Sequence, residues 1–391
     1  MTIRIAPAPR VVVAGAGAFG GWTALHLLRR GASVTLVDAR GAGHRHASSG
    51  GETRVTRAVY GTNAAAARLA IRSMALWKEH QERFGVLLFR ERGVVWMTTS
   101  ADDSYLRASL PLLAQQGWPF EELTPVDAAL RFPALSFEDA RRVVFEPSGG
   151  YLLARRACET VWRAVASEGG RVLQAEVEPP RGAEGLQAVR LGDGSRLEAD
   201  VFVFACGPWL GALFPDVLGD RIRPTRQELF TFATPPGDVR FDDEHLPTWA
   251  DLGPPLRYGI PGPARGSSAG APRGMKFGDD TRGPRFDPTT GDRRVTPEGE
   301  RQARTYLETR LPALGRDAPL ADSQVCQYEN TPDNQYIVDR HPRFANVWLA
   351  GGGSGHGFKN GPAVGERLAE AILTDGVADK EFRLDRFAGS A

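Results

Sequence analysis

Gly15, Gly17 and Gly20 stand in the stretch "GAGAFG", and Asp38 follows about 20 residues later. That spacing suits a pyrophosphate. Gly15 allows a tight turn, and Gly17 lets the backbone approach the phosphates. Gly20 lets a helix pack close to its strand, with its positive N-terminal end toward the anion. Asp38 is placed to hold a pair of ribose hydroxyls, and an acid there argues against a 2′-phosphate and hence against NADP. Four other stretches carry reactive types: Arg54 and Arg57 in "GETRVTRAVYG", Lys276 in "GMKFG", Cys326 in "SQVCQYENTPD", and Lys359 in "GSGHGFK".

Each of these has a chemical and a plain reading. Arg54 and Arg57, three apart, share one face if their segment is a helical turn; the plain reading is a solvated basic face. In a strand, Met275 and Phe277 face one side and Lys276 the other, either into a site or onto the wet face of a hairpin. Cys326 is a packed hydrophobe, a reactive thiol or an attachment point. His44 and His46 in "GHRHASS" invite a metal, but nothing supplies further ligands at zinc-like spacing, so no metal is expected.

The elements that must position these residues are legible. "RVVVAGAGAFGGWTALHLLRRGASVTLVD" reads as strand, glycine turn, helix and second strand, with Trp22, Leu25 and Leu28 at helical spacing and Gly31 as the stop. "ANVWLAGGGSGHGFKNGPAVGERLAEAIL" repeats the pattern: a strand through Val347, Leu349 and Ala350, then a helix from about Gly361 to Leu373. Two helix N-termini aimed at one cleft suit a long cofactor such as FAD, and with Lys359 they would hold negative charge on its reduced form. A crossover loop without a ligand is the alternative. Residues 151–222 look like returns to the first sheet. Residues 87–150 and 223–320 carry short alternating runs such as "GVVWMTT", "ELFTFAT" and "GMKFGDD", which read as an antiparallel sheet with helices attached. The fold class is therefore α/β with α+β character. A discontinuous Rossmann-like dinucleotide domain (1–86, 151–222 and 321–391) is interleaved with a substrate domain (87–150 and 223–320). The stretch 262–274, rich in Gly, Pro, Ser and Ala, reads as a loop.

The bulk numbers exclude several classes. The chain has 391 residues and a formal net charge of +1, which argues against nucleic acid or an anionic membrane as the main partner. No signal sequence, transmembrane run or recognised C-terminal address tag is expected. Cys158, Cys206 and Cys326 make neither a CxxC pattern nor a disulfide framework, which suits a reducing cytoplasm.

The chain resembles the monomeric sarcosine oxidase group of flavoprotein amine oxidases, within the D-amino-acid oxidase superfamily. The resemblance spans nearly the whole chain. It rests on "GAGAFG" with "VD", "SSGGETRVTRAVYG", "FEPSGGYL", "FACGPW", "MKFG", "CQYENTPDNQYIVDRHP" and "GSGHGFK". It implies FAD, linked through a thioether from Cys326, which lies in a C-x-Y-x-x-T-x-D context with Tyr328, Thr331 and Asp333. It implies that the cofactor meets Gly15, Gly17, Phe19, Gly20, Asp38, Ser48, Ser49, Arg54, Val177, Gly207, Ser354, Gly355, His356, Gly357, Phe358 and Lys359. Arg57 and Lys359 would bind the substrate carboxylate; two cations on one anion, one of them bidentate, are a sound clamp. Lys276 would stabilise the charge that forms on oxygen, with Arg54 also near the flavin.

The implied activity is oxidation of a secondary amino acid, N-alkyl or cyclic. Hydride passes to flavin N5, leaving an imine, and oxygen returns as hydrogen peroxide. The partners are a small amine or amino acid and oxygen, and the protein would be a monomer or weak oligomer. Three positions depart from the family pattern: Arg257 where it has a tyrosine, Asp280 where it often has a histidine, and Gly50 where a histidine precedes the arginines. Arg257 and Asp280, as substrate-binding residues, make a pocket more polar than sarcosine needs. A dehydrogenase with another electron acceptor, an oxidase of a biosynthetic amine, and a non-redox flavin-binding protein are the alternatives.

Overall fold

The computed structural model describes residues 8–181, 185–263 and 274–388. Most of the 262–274 loop therefore lies outside the described residues, as do both chain ends. The chain divides into two compact units: residues 1–51, 154–225 and 327–391 form one, and residues 52–153 and 226–326 the other.

The first unit is built on a six-stranded sheet. Its strands run in the order Ile337–Arg340, Val347–Gly351, Val201–Phe204, Arg10–Ala14, Ser33–Asp38 and Arg171–Gln174. Only Ile337–Arg340 is antiparallel to its neighbour. The central strand is apolar on both faces because both are covered, as a parallel sheet requires. On one face the helix Ala18–Arg29 lies between the helices Gly361–Leu373 and Ala154–Ser167. Gly361 and Gly365 make the first contact possible: a Cβ on Gly365 would lie 2.7 Å from the Thr23 nitrogen. The other face packs Val12, Phe202, Phe204 and Leu349 against Leu210, Phe214 and the hairpin residues Val189 and Leu197. Burying such side chains stabilises by roughly 1.5–3 kcal/mol each.

The second unit carries most of an eight-stranded sheet, in the order Leu320–Asn330, Arg223–Phe232, Met275–Asp279, Arg257–Pro261, Thr248–Asp251, Val94–Thr98, Arg142–Glu146 and Glu121–Leu123. From Arg223–Phe232 to Glu121–Leu123 it is antiparallel as expected, except where Thr248–Asp251 runs parallel to Val94–Thr98. One face holds Met97, Phe230, Trp249, Met275 and Phe277 against Ala303 and Leu307 of the helix Pro297–Arg310. A three-stranded sheet, in the order Thr53–Thr56, Gly150–Leu153 and Phe89–Glu91, brings Tyr151, Leu153 and Val55 against Ile260 and Tyr258.

Two expectations need correction. Residues 52–86 belong to the second unit, not to the dinucleotide unit. The cause is pairing: Thr53–Thr56 hydrogen-bonds antiparallel to Gly150–Leu153, and the helix Ala64–Phe84 follows it. The same pairing corrects the local structure of the arginines. Arg54 sits in a strand and Arg57 just beyond its end, so helical spacing does not place them. Among the described residues no helix is long and apolar enough to cross a membrane.

Candidate active site

In the first unit the glycine turn is shaped as the spacing requires. Gly15 has φ +102, and a Cβ there would lie 2.3 Å from the Ala205 carbonyl oxygen. A Cβ on Gly20 would lie 1.9 Å from the Gly15 oxygen, so helix and strand meet without room for a side chain. Gly17 begins the helix in extended conformation, and the Ser49 hydroxyl accepts the Ala18 N–H at 3.1 Å. The Asp38 carboxylate accepts the N–H groups of Ala16 (2.8 Å) and Arg40 (2.9 Å). A carboxylate has about four acceptor sites, so two remain for ribose hydroxyls. This cradle fits a dinucleotide. Gly20→Ala is expected to lower stability by at least about 1–3 kcal/mol through overpacking. Thermal unfolding checks it, and flavin content should fall with it.

The second glycine loop is held from within. Ser354, at φ +47, donates to the Gly352 oxygen at 3.0 Å and accepts the Thr331 N–H at 3.1 Å. The His356 Nε2–H meets the Asn334 oxygen at 2.9 Å, which leaves Nδ1 to accept from Tyr336 at 3.0 Å. Gly355 has φ +82 and lies against the Tyr328 ring; Gly357 lies against Phe19, whose ring meets Tyr336 edge-on at 5.2 Å. Lys359 is buried, not a surface lysine, and its Nζ donates to the His356 oxygen at 3.0 Å. Phe358 stands beside it, half-buried. Gly207 takes φ +54 at the turn after Val201–Phe204, and Val177 bridges Leu191 at the sheet margin. Ser48 lies in the loop after Asp38, where the His44 and His46 rings meet edge-on at 5.0 Å. Among the described residues no group of three or more His, Cys, Asp or Glu could hold a metal. Gly50 closes that loop; any Cβ there would lie 1.9 Å from the His44 oxygen, so this backbone refuses a histidine.

In the second unit a single backbone carbonyl collects two cations. Lys276 Nζ donates to the Thr53 oxygen at 2.8 Å, and Arg54 Nη1 donates to the same atom at 2.8 Å. Lys276 lies opposite Ile260 in register, on the sheet face away from Met275 and Phe277. It is buried, so the wet-face reading does not hold. Burial, then the Arg54 charge, lowers its ammonium to about 7. Cys326 is also in this unit, buried and in no disulfide.

Arg57 is half-buried. Its guanidinium lies 3.9 Å over the Tyr60 ring and 5.4 Å from that of Trp96, and Nη1 donates to the Val59 oxygen. Arg257 pairs with Asp279 at 3.2 Å and stacks on Tyr306 at 4.7 Å, whereas Asp280 pairs with Arg282 at 2.8 Å. An Arg257–Asp280 salt bridge is therefore not formed, because strand register puts Asp279 directly across from Arg257. Arg54, Arg57 and Lys276 share the second unit, and Lys359 belongs to the first.

Two acids near the candidate site residues escaped the sequence reading, the buried Glu146 and the half-buried Glu329. Glu146, in "FEPSGGYL", accepts from Ala58 N–H (2.6 Å), Trp118 Nε1 (2.9 Å) and Trp96 Nε1 (3.0 Å). It thereby fixes the backbone next to Arg57. Burial raises its carboxyl, against those donors and the Arg57 charge. Glu329 sits three residues past Cys326, and burial raises it to about 7. The available signal was an acid closing an otherwise apolar strand, as in "RVVFE".

A glycine turn that fits a dinucleotide on a parallel sheet, and a buried lysine on an antiparallel one, suit a dinucleotide-dependent oxidoreductase. The model of the DAO family, described as FAD dependent oxidoreductase, matches residues 10–371, and the chain belongs to that family. It is an enzyme that uses FAD. It is 28% identical to the monomeric sarcosine oxidase of Bacillus sp. (strain B-0618), over 93% of this chain and 92% of that protein. It is equally identical, at 28%, to the N-methyl-L-tryptophan oxidase of Yersinia pestis (strain Pestoides F), over 92% of this chain and 93% of that one. Two solved structures share the fold. L-proline dehydrogenase from P. horikoshii has a TM-score of 0.83 at 22% identity, covering 98% of each chain. Fructosamine oxidase (Amadoriase II) from Aspergillus fumigatus, in complex with FSA, has a TM-score of 0.81 at 19% identity, covering 99% of this chain and 92% of that one.

Proposed function

We propose that this enzyme oxidises amino acids with a secondary amine, N-alkyl or cyclic, and passes the electrons to oxygen to form hydrogen peroxide. Bound FAD supplies the acceptor for the hydride that leaves the carbon next to nitrogen, and the amine becomes an imine. The chain's own work is orientation and charge. Arg57 and Lys359 take the substrate carboxylate. The Arg57 guanidinium lies over the Tyr60 ring, which restrains it, so little freedom is lost when it binds. Lys276 and Arg54 keep positive charge where negative charge develops on oxygen. Arg257 and Asp280 serve a polar group on a substrate larger than sarcosine. Cys326 tethers the cofactor. Three cysteines outside any disulfide suit a reducing compartment, so we assign the enzyme to the cytoplasm, as a monomer or weak oligomer.

The observation that carries this reading is the Lys276 and Arg54 pair on the Thr53 carbonyl. Similarity to a sarcosine oxidase and an N-methyl-L-tryptophan oxidase over nearly the full chain supports it. Anaerobic bleaching of the flavin across N-methyl, cyclic and primary amino acids tests the substrate class. Peroxide formed one for one with imine is expected; dye reduction without peroxide would make the enzyme a dehydrogenase. Arg57→Ala should weaken substrate binding about 10- to 100-fold, as expected for a lost charged hydrogen bond. Titrating the bleached fraction against substrate measures it.

A further inference from the structure

Glu146 closes the strand Arg142–Glu146 with a fully buried side chain. N–H groups from three separate places converge on its carboxyl. Oε1 accepts the Ala58 N–H at 2.6 Å and the Trp118 Nε1–H at 2.9 Å, and Oε2 accepts the Trp96 Nε1–H at 3.0 Å. All of these partners are donors, and an ionised carboxylate, which only accepts, is their complement. Burial works against that form; the donors and the Arg57 charge work for it. A buried carboxylate is a poor way to stabilise a core, because its desolvation cost can exceed what its partners return. Its neighbours give a better reason for it.

Those neighbours lead to Arg57, and all of them lie in the second unit. The Ala58 N–H belongs to the peptide that joins Arg57 to Ala58, so its bond to Glu146 fixes the plane from which the Arg57 side chain leaves. The Val59 carbonyl accepts from the Arg57 guanidinium and from the Tyr105 hydroxyl, the latter at 3.2 Å. The Gly61 N–H donates to Ser109 Oγ at 2.7 Å. Tyr105 and Ser109 stand on the helix Ser104–Gln115, and Trp118 follows its end. Trp96 meets both charges. Its Nε1–H donates to Glu146, and its ring centre lies 5.4 Å from the Arg57 guanidinium carbon. An indole that donates to an anion is polarised toward a more negative ring, which strengthens its attraction for a cation.

We infer that Glu146 is a positioning residue for Arg57. Its carboxylate fixes the peptide that carries Arg57 and offsets the Arg57 charge across the Trp96 indole, so that the guanidinium is held in one place to receive an anion. That the anion is a substrate carboxylate rests on the function proposed above. The test uses full-length holoprotein: wild type, E146Q, R57A and the double variant. Glutamine keeps the shape, but its NH2 must face one of the N–H donors. The first measurement needs no ligand. Phenylglyoxal, which modifies guanidinium groups, is applied and the modified sites are read by mass spectrometry. Arg57 is expected to react at least about threefold faster in E146Q than in wild type, with Arg54 as the internal reference. The second measurement titrates acetate by its effect on the oxidised flavin spectrum. E146Q is expected to weaken acetate binding about tenfold and to add nothing beside R57A. Equal Arg57 reactivity in wild type and E146Q overturns the inference. So does wild-type acetate affinity in E146Q where R57A loses it, or an E146Q loss that persists in full beside R57A. If acetate binds wild type and R57A alike, or binds neither, the carboxylate reading of Arg57 fails instead, and the phenylglyoxal rates alone decide on Glu146. If E146Q does not fold, E146D takes its place under the same criteria, because its shorter stem gives up the Ala58 bond.

Discussion

Lys276→Met slows oxidation of the reduced enzyme by oxygen about 100- to 1,000-fold, the scale of removing one preorganised charge partner. Substrate-driven bleaching under anaerobic conditions is expected to stay within about tenfold of wild type, because Lys276 is not part of the proposed carboxylate site. Stopped-flow measurement of the two half-reactions separates them, and equal slowing of both would remove Lys276 from the oxygen step. The pH dependence follows from the same burial. The Lys276 ammonium is lowered to about 7, so the charge is lost as pH rises through that value. Oxidation by oxygen should therefore fall toward alkaline pH in the wild type, while the Lys276→Met rate is flat. An anionic reduced cofactor nearby would move the midpoint upward. Stability has the matching sign. Between about 7 and the ordinary 10.5 the unfolded chain binds the proton that the folded chain has released. Wild-type stability therefore rises with pH across that window. The stability gain of Lys276→Met over wild type is full below about 7 and shrinks as pH climbs.

If Cys326 is the proposed tether, Cys326→Ser is expected to make the flavin dissociable: the yellow colour should stay with acid-precipitated protein in the wild type and go to the supernatant in the variant. The fold is expected to survive. Cys326 is one buried residue in a long strand, and serine is close in size. Colour in the wild-type supernatant would return Cys326 to a packing role, with FAD use unaffected.

Much of this enzyme was written in local pattern. The glycine turn, its helix and its acid are spaced by the backbone geometry of one strand–turn–helix unit, so Gly15, Gly17, Gly20 and Asp38 could be read without tertiary information. The helix Gly361–Leu373 matched its apolar spacing to the residue. Alternation in "GMKFG" already put Lys276 opposite Met275 and Phe277, because side chains along a strand have period two.

What local pattern could not supply was pairing. Arg54 and Arg57 are at helical spacing, yet their segment is a strand, because its hydrogen bonds are met by Gly150–Leu153, far along the chain. That same pairing moved residues 52–86 into the second unit. Register, not composition, gave Arg257 to Asp279 instead of Asp280. Glu146 and Glu329 were passed over because an acid in a sequence shows neither its burial nor its donors.

The sequence by itself determined the dinucleotide cradle, the mixed α/β class and the types of the reactive residues, since each depends on neighbours within a turn or a strand. Only the tertiary structure decided that Lys276 is buried beside Arg54 on one carbonyl, and that Glu146 is buried among N–H donors next to Arg57. Desolvation and charge proximity set those properties, and both depend on groups distant in sequence.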